Sequence, residues 1–258
     1  VISEPCFEID PAAIHLVPVK DGEMIRLQKD MSKATWRVCP GRRLPFRVMH
    51  GDKLIGLLNL SSPGMNLGPR DRFLKLDNDY TIRGKQLRNY MDLSVCVGVQ
   101  PLAWFWNLGK LMALVATCKE IADLFQAKYG DRLIGIQTFS LFGRSCQYNR
   151  VYRFLGFTKG NGNEHIPEEK YKEIRAWLKE RRLLPERRGR MWAVKEWNKH
   201  QARENKVPLT HGKIRGIYYL ECTGRPLAQI AESWYGRWGL PRYLAHKNEN
   251  PPYLTGLA

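Results

Sequence analysis

Met91-Asp92-Leu93-Ser94-Val95-Cys96-Val97-Gly98-Val99 is the stretch that decides the fold. Its β-branched residues recur at alternate positions and the run stops at Pro101, the mark of a central strand. Downstream, Asn107 to Lys128 carries apolar residues at 108, 111, 112, 115, 121, 122, 124 and 125, a helical spacing that Tyr129-Gly130 closes with a C-cap glycine. Leu133-Ile134-Gly135-Ile136-Gln137-Thr138-Phe139 then reads as a second strand. A strand, helix, strand series of this length implies parallel pairing across a crossover, and so an α/β core.

Upstream, Pro45-Phe46-Arg47-Val48-Met49-His50 and Lys53 to Leu60 flank Gly51-Asp52, which predicts a hairpin. Ser61 to Leu67 is a loop by composition, Pro69 to Leu76 alternates like an extended segment, and Asp77 to Asn89 is a polar connector. Beyond the second strand, a short helix is expected over Gln147 to Leu155, ending at a Gly156-Phe157 corner. Further on, Pro167 with Glu168 and Glu169 makes a first helical turn, with Tyr171, Ile174 and Leu178 on one face of a helix running to Arg182. A second helix is read over Arg190 to Asn205, a strand over Lys213 to Leu220, a helix near Leu227 to Trp234, and irregular chain after Trp238. The expected organisation is an N-terminal segment (1–40), an α/β domain with flanking helices (41–162) and a basic, mainly helical extension (163–258).

Composition narrows the function classes. Eight Trp and eleven Tyr among 258 residues exclude a disordered chain. Forty-two Lys and Arg against 25 Asp and Glu leave a net charge of +17, which draws polyanions, with nucleic acid first and DNA favoured. The charge is concentrated: between 170 and 206, 13 basic residues face 5 acidic ones. Arg181, Arg182, Arg187, Arg188 and Arg190 are candidate phosphate contacts there. Trp192 and Trp197, among cations, are either base-stacking rings or core.

Val1 to Val19 lacks the charged start and apolar run of a secretory signal, so a cytoplasmic protein is expected. Trp104 to Cys118 is short for a membrane span and contains Lys110, which makes it a buried helix and argues against a membrane role. The six cysteines are widely spaced without a C-x-x-C pair, so they are expected as reduced core thiols. His165, His200, His211 and His246 have no metal-ligand spacing, no metal site is expected, and His50 at the hairpin turn is expected in solvent.

Among polar candidates, Arg70-Asp71-Arg72 has the form of a phosphate clamp, two guanidiniums held by one carboxylate; the other reading is a surface ion-pair strand. Asp92, at the start of the central strand, has the place of a residue that accepts a proton from a nucleophilic amine; the other reading is a strand-end carboxylate of the common kind. Gly109 and Lys110 stand at the expected helix start, where backbone amides meet phosphates; packing at a tight entry is the alternative.

Tyr148-Asn149-Arg150-Val151-Tyr152-Arg153-Phe154-Leu155-Gly156-Phe157 resembles the last block of GNAT-fold acyltransferases, in which a Tyr protonates the leaving thiolate. The resemblance implies a GNAT-like mixed sheet, assigns that acid role to Tyr152, and makes Asn107, Leu108, Gly109 and Lys110 the contacts of an acyl-CoA-type donor. Trp104 and Asn107 depart from the Gln or Arg and the first Gly of that family's loop.

A longer resemblance spans roughly 44–162. Arg70-Asp71-Arg72-Phe73-Leu74, Asn107-Leu108, Tyr129-Gly130, Thr138-Phe139, Gly143 with Cys146, and Gly156 followed by Thr158, Gly160 and Gly162 are similar in order and spacing to the DruA-type proteins of Druantia anti-phage systems. That family resembles the phage Mu Mom protein, a GNAT-like enzyme that modifies adenine in DNA. Where the family has Tyr directly after the Cys, this chain has Gln147 and then Tyr148, which makes Tyr148 a second candidate acid. Two functions follow from these resemblances. One is a transferase that modifies a nucleobase in DNA, in a phage or anti-phage setting. The other is a GNAT scaffold without a donor site that binds nucleic acid beside other proteins of such a system.

Overall fold

The computed structural model describes residues 7–31, 41–140, 143–145, 147–158, 168–183, 190–204 and 214–249. In chain order its regular elements are β1 (Ile14–Pro18), α1 (Asp21–Met31), β2 (Arg43–His50), β3 (Lys53–Ser61), α2 (Gly68–Phe73), α3 (Tyr80–Gln86) and β4 (Tyr90–Gly98). There follow α4 (Leu102–Trp106), α5 (Leu108–Val115), α6 (Lys119–Tyr129), β5 (Gly135–Phe139) and β6 (Arg153–Phe157). The described chain closes with α7 (Glu168–Glu180), α8 (Arg190–Arg203), β7 (Gly216–Glu221), α9 (Leu227–Trp234) and α10 (Leu240–His246).

The seven strands form one mixed sheet in the order β1-β2-β3-β4-β5-β7-β6, so β4 lies at its centre. As the helical crossover required, β4 and β5 are parallel, though only over Tyr90 to Asp92 against Gly135 to Gln137; the other pairings are antiparallel. A register shift against β3 leaves Ser94 as an extra residue in β4. Such a bulge reverses which face the later side chains take. Met91 and Leu93 accordingly enter the main core with α5, α6 and α9, whereas Val95 turns to the opposite face and meets Met24 of α1 and Leu57. Ile174, Leu178, Ala193 and Val194 form a separate small cluster between α7 and α8.

Several expectations are corrected. Pro69 to Leu76 is not extended: α2 occupies Gly68–Phe73, with Pro69 in its first turn, where proline is tolerated. The polar connector holds α3, started by the Asp79 carboxylate, which accepts from the amides of Thr81 and Ile82. The single helix over 107–128 is two, α5 and α6, and Asn107 (φ 54°) separates α5 from α4 in the left-handed conformation. Residues 147–151 are turns, and 153–157 is strand β6 rather than the end of a helix. Chain after Trp238 is not irregular, since α10 lies there.

The sheet also crosses the divisions expected at 40/41 and 162/163. β1 pairs with β2, and β7 lies between β5 and β6 with Ile217 and Tyr218 fully buried. The strand at 216–221 was readable from its composition, but its partners, some eighty and sixty residues earlier, were not. Among the described residues no helix is long and apolar enough to cross a membrane.

Candidate functional site

Directly paired residues of neighbouring strands project from the same face of a sheet. Following the pairing from β3 to β6 gives one continuous row: Ser61, Asp92, Gln137, Tyr219, Arg153. This row lies on the face opposite Met91 and Leu93, and α2 brings Arg70 onto it.

Arg70 is completely buried. Its Nε and Nη2 donate to Asp71 Oδ1 at 2.7 and 2.5 Å, Nη1 donates to the Gly64 carbonyl at 2.8 Å and to Gln137 Oε1 at 3.1 Å, and Nη2 reaches the Met65 carbonyl at 3.3 Å. Asp71 in turn accepts from the Leu67 amide and pairs with Arg83 at 3.5 Å. The expected clamp of Arg70 and Arg72 on phosphate is therefore divided. Arg70 spends its donors inside the protein, pinning the 64–67 loop and the Gln137 amide, while Arg72 is exposed.

A guanidinium carries donors only, so it fixes the Gln137 amide with its oxygen toward Arg70 and its Nε2 turned away. Nε2 is buried without a hydrogen-bond partner, and so is Oδ1 of Asp92 on the adjacent strand. Burial raises the Asp92 carboxyl from its usual 3.8 to about 7, against a smaller downward pull from Arg70. Gln137 is 2% exposed, whereas Asp92 keeps part of its surface open.

An aromatic group adjoins the pair. Gly135 has no side chain, and the Tyr219 ring lies over it, where a Cβ would collide. Phe73 of α2 and Tyr90 of β4 flank that ring at 5.3 and 6.4 Å between centroids, and the exposed Arg153 stands 4.7 Å over Phe73. Chemically, the row offers a donor of fixed direction, a carboxyl that accepts and is able to exchange its proton near neutrality, and flat rings beside them.

The other candidate residues lie apart from this row. The Tyr152 hydroxyl donates to the Ala113 carbonyl of α5 at 2.8 Å inside the main core. Tyr148 packs its ring on Tyr152 and Tyr218, and burial raises both candidate phenols well above the usual range. Residues 107–110 do not fit an acyl-CoA donor. A Cβ at Gly109 would stand 3.1 Å from the Gln147 side chain, and the Gln147 amide donates to the Cys96 carbonyl at 3.1 Å. Lys110 is buried and donates to the carbonyls of Gln147 and Asn149, Leu108 is fully buried, and the Asn107 carbonyl accepts from Trp234.

In the basic arm, Arg181 is exposed, lying 4.2 Å over the Trp177 ring and 3.0 Å from Glu180, and Arg182 is exposed with φ 53°. Arg190 begins α8, and Arg187 and Arg188 lie outside the described residues, as do His165, His211, Cys146, Gly160 and Gly162. Trp197 meets Trp177 edge to face at 4.9 Å in the small cluster, where Trp192 also packs. His50 is not free in solvent, because its Nε2 accepts from the Asp10 amide at 3.0 Å. Cys96, Cys118 and Cys222 are free thiols, each pushed up to about 12 by burial. Of the row, the sequence singled out only Asp92. Gln137, a polar residue inside the apolar run 133–139, was the signal available for the rest.

The family model described as Druantia protein DruA matches residues 25–208. A curated relative, Druantia protein DruA of Escherichia coli (strain UMEA 4076-1), is 32% identical over an alignment 184 residues long; the match covers 62% of this chain and 44% of that protein. The chain thus spans less than half the length of that relative. Asp92, Gln137, Arg70 and Arg153 fall within the family match; Tyr219 lies beyond it.

Proposed function

We propose, because this chain belongs to the Druantia protein DruA family, that it is the component of an anti-phage system that engages nucleic acid and works on a nucleobase, with Asp92 as the proton acceptor. The supporting observation is the Asp92 carboxylate, which has an oxygen buried without a partner. A base amine that gains a new bond must lose a proton, and a carboxyl titrating near 7 is matched to take it at neutral pH. Arg72 and Arg153 are exposed beside the row, and with the basic arm they suit contact with the phosphate backbone.

An acyl-CoA-type donor is not placed at 107–110, where the Gln147 side chain lies against Gly109 and Leu108 and Lys110 are buried. That same observation favours a second reading, in which the chain binds nucleic acid without transferring a group, on a GNAT-like scaffold and beside other proteins of the system.

Nucleosides from cells carrying the chain with its neighbouring genes decide between the two. Base modification is expected to give a species heavier than a normal nucleoside, lost in Asp92→Asn. If wild-type cells yield none while the purified protein binds DNA, the binding reading stands.

A further inference from the structure

We infer that the Asp92 and Gln137 site takes a single nucleobase held out of its stack, with the amine and adjacent ring nitrogen of adenine or cytosine bonded to those residues and the ring laid against Phe73 and Tyr90. The inference rests on the nucleic-acid role proposed above and names the form in which that substrate arrives.

Three observations carry it. Asp92 Oδ1 and Gln137 Nε2 are an acceptor and a donor on directly paired residues, both buried and both without partners. Buried polar atoms are ordinarily satisfied, and two orphans of opposite kind side by side match a ligand edge with a donor next to an acceptor. Arg70 fixes which is which by holding Gln137 Oε1, so the amide cannot turn over to offer its oxygen without setting its own NH2 against the guanidinium N–H. Each base carries a donor beside an acceptor, N3–H and O4 of thymine among them; the role proposed above needs an amine, and in adenine and cytosine the matching edge, an amine beside a ring nitrogen, places that amine on Asp92.

Depth supplies the case for an unstacked base. Gln137 is only 2% and Tyr219 only 4% exposed, beneath α2 and the loop that Arg70 pins. An intact duplex already uses the pairing edge of every base, and its bulk stops at the surface; a lone flat ring reaches further. Phe73 and Tyr90 are both partly exposed, and stacking on such rings is a general means of holding unpaired bases; on Phe73 the base would take the place that Arg153 now covers. Arg153, over Phe73 and exposed, stands where the phosphate of such a nucleotide would enter.

The test measures binding of the full chain to short single strands of equal length, all adenine, all cytosine, all thymine or abasic, and to a fully paired duplex, across a salt series. Expected are base-bearing strands binding about tenfold tighter than the abasic one, weaker binding to the duplex, and loss of that difference in Gln137→Glu with the salt slope unchanged. That change keeps the acceptor for Arg70 but removes the donor. Phe73→Leu, which keeps an apolar side chain on α2, is expected to bring base-bearing strands down toward the abasic one. Equal affinity for every strand and for the duplex, with a normal salt slope, overturns the inference and leaves the nucleic-acid role standing. Binding that does not respond to salt, to any of these probes, overturns both.

Discussion

Asp92 and Gln137 face each other across the only parallel pairing of the described sheet, and each keeps one polar atom buried and unbonded. For Asp92 this predicts a pH signature in stability. Its folded carboxyl titrates at about 7 rather than 3.8, so between those values the native state holds a proton that the unfolded chain has released. Stability from this group is full below about 4 and falls as pH rises to 7, by at most roughly 4 kcal/mol for a shift of that size. Urea midpoints of wild type and Asp92→Asn, measured from pH 4 to 8, are expected to diverge in favour of the variant and level off above 7. Parallel curves would mean that the carboxyl is not desolvated.

Arg70 and Arg72 are expected to behave as opposites. Arg70→Ala takes both guanidinium bonds from Asp71 Oδ1 and leaves the Gly64 carbonyl and Gln137 Oε1 without that donor, a loss of about 3 kcal/mol or more. Arg72→Ala, on the exposed side of α2, changes stability by less than about 0.5 kcal/mol but reduces the salt slope of nucleic-acid binding by about one phosphate's worth. Denaturant melts and a salt titration check both.

Gly109→Val is expected to destabilise the protein by about 1–3 kcal/mol, because the new side chain meets Gln147. The double variant Gly109→Val with Gln147→Ala is expected to recover part of that loss. Purely additive losses would show that the two residues do not touch.

Tyr152→Phe is expected to cost about 1 kcal/mol by removing the hydrogen bond to the Ala113 carbonyl, with nucleic-acid affinity unchanged. A variant as stable as wild type would indicate that the hydroxyl is free for another task.

Local patterns were legible where the physics is local. The hairpin at Gly51-Asp52, the strands at 90–98 and 135–139, and the helices at 168–180, 190–203 and 227–234 follow from period, turn chemistry and capping, which act over a few residues. The break at 116–118 and the left-handed Asn107 were not legible, because the apolar spacing continues through both. The neighbour of Gly109 was not legible for a similar reason: it is Gln147, about forty residues away in the chain.

Residue order was enough for the alternation that makes β4 a central strand, the crossover that makes it parallel to β5, the basic surplus, and Asp92 as a residue to test. Tertiary structure alone decided that β7 enters between β5 and β6, and so which residues share a row with Asp92. It also separated Arg70 from Arg72. On the expected strand, residues two apart share a face, whereas on the helix that forms they point about 200° apart. One guanidinium is therefore sealed against Gln137 and the other left in solvent, because strand pairing and helix docking are settled by contacts between segments far apart in the chain.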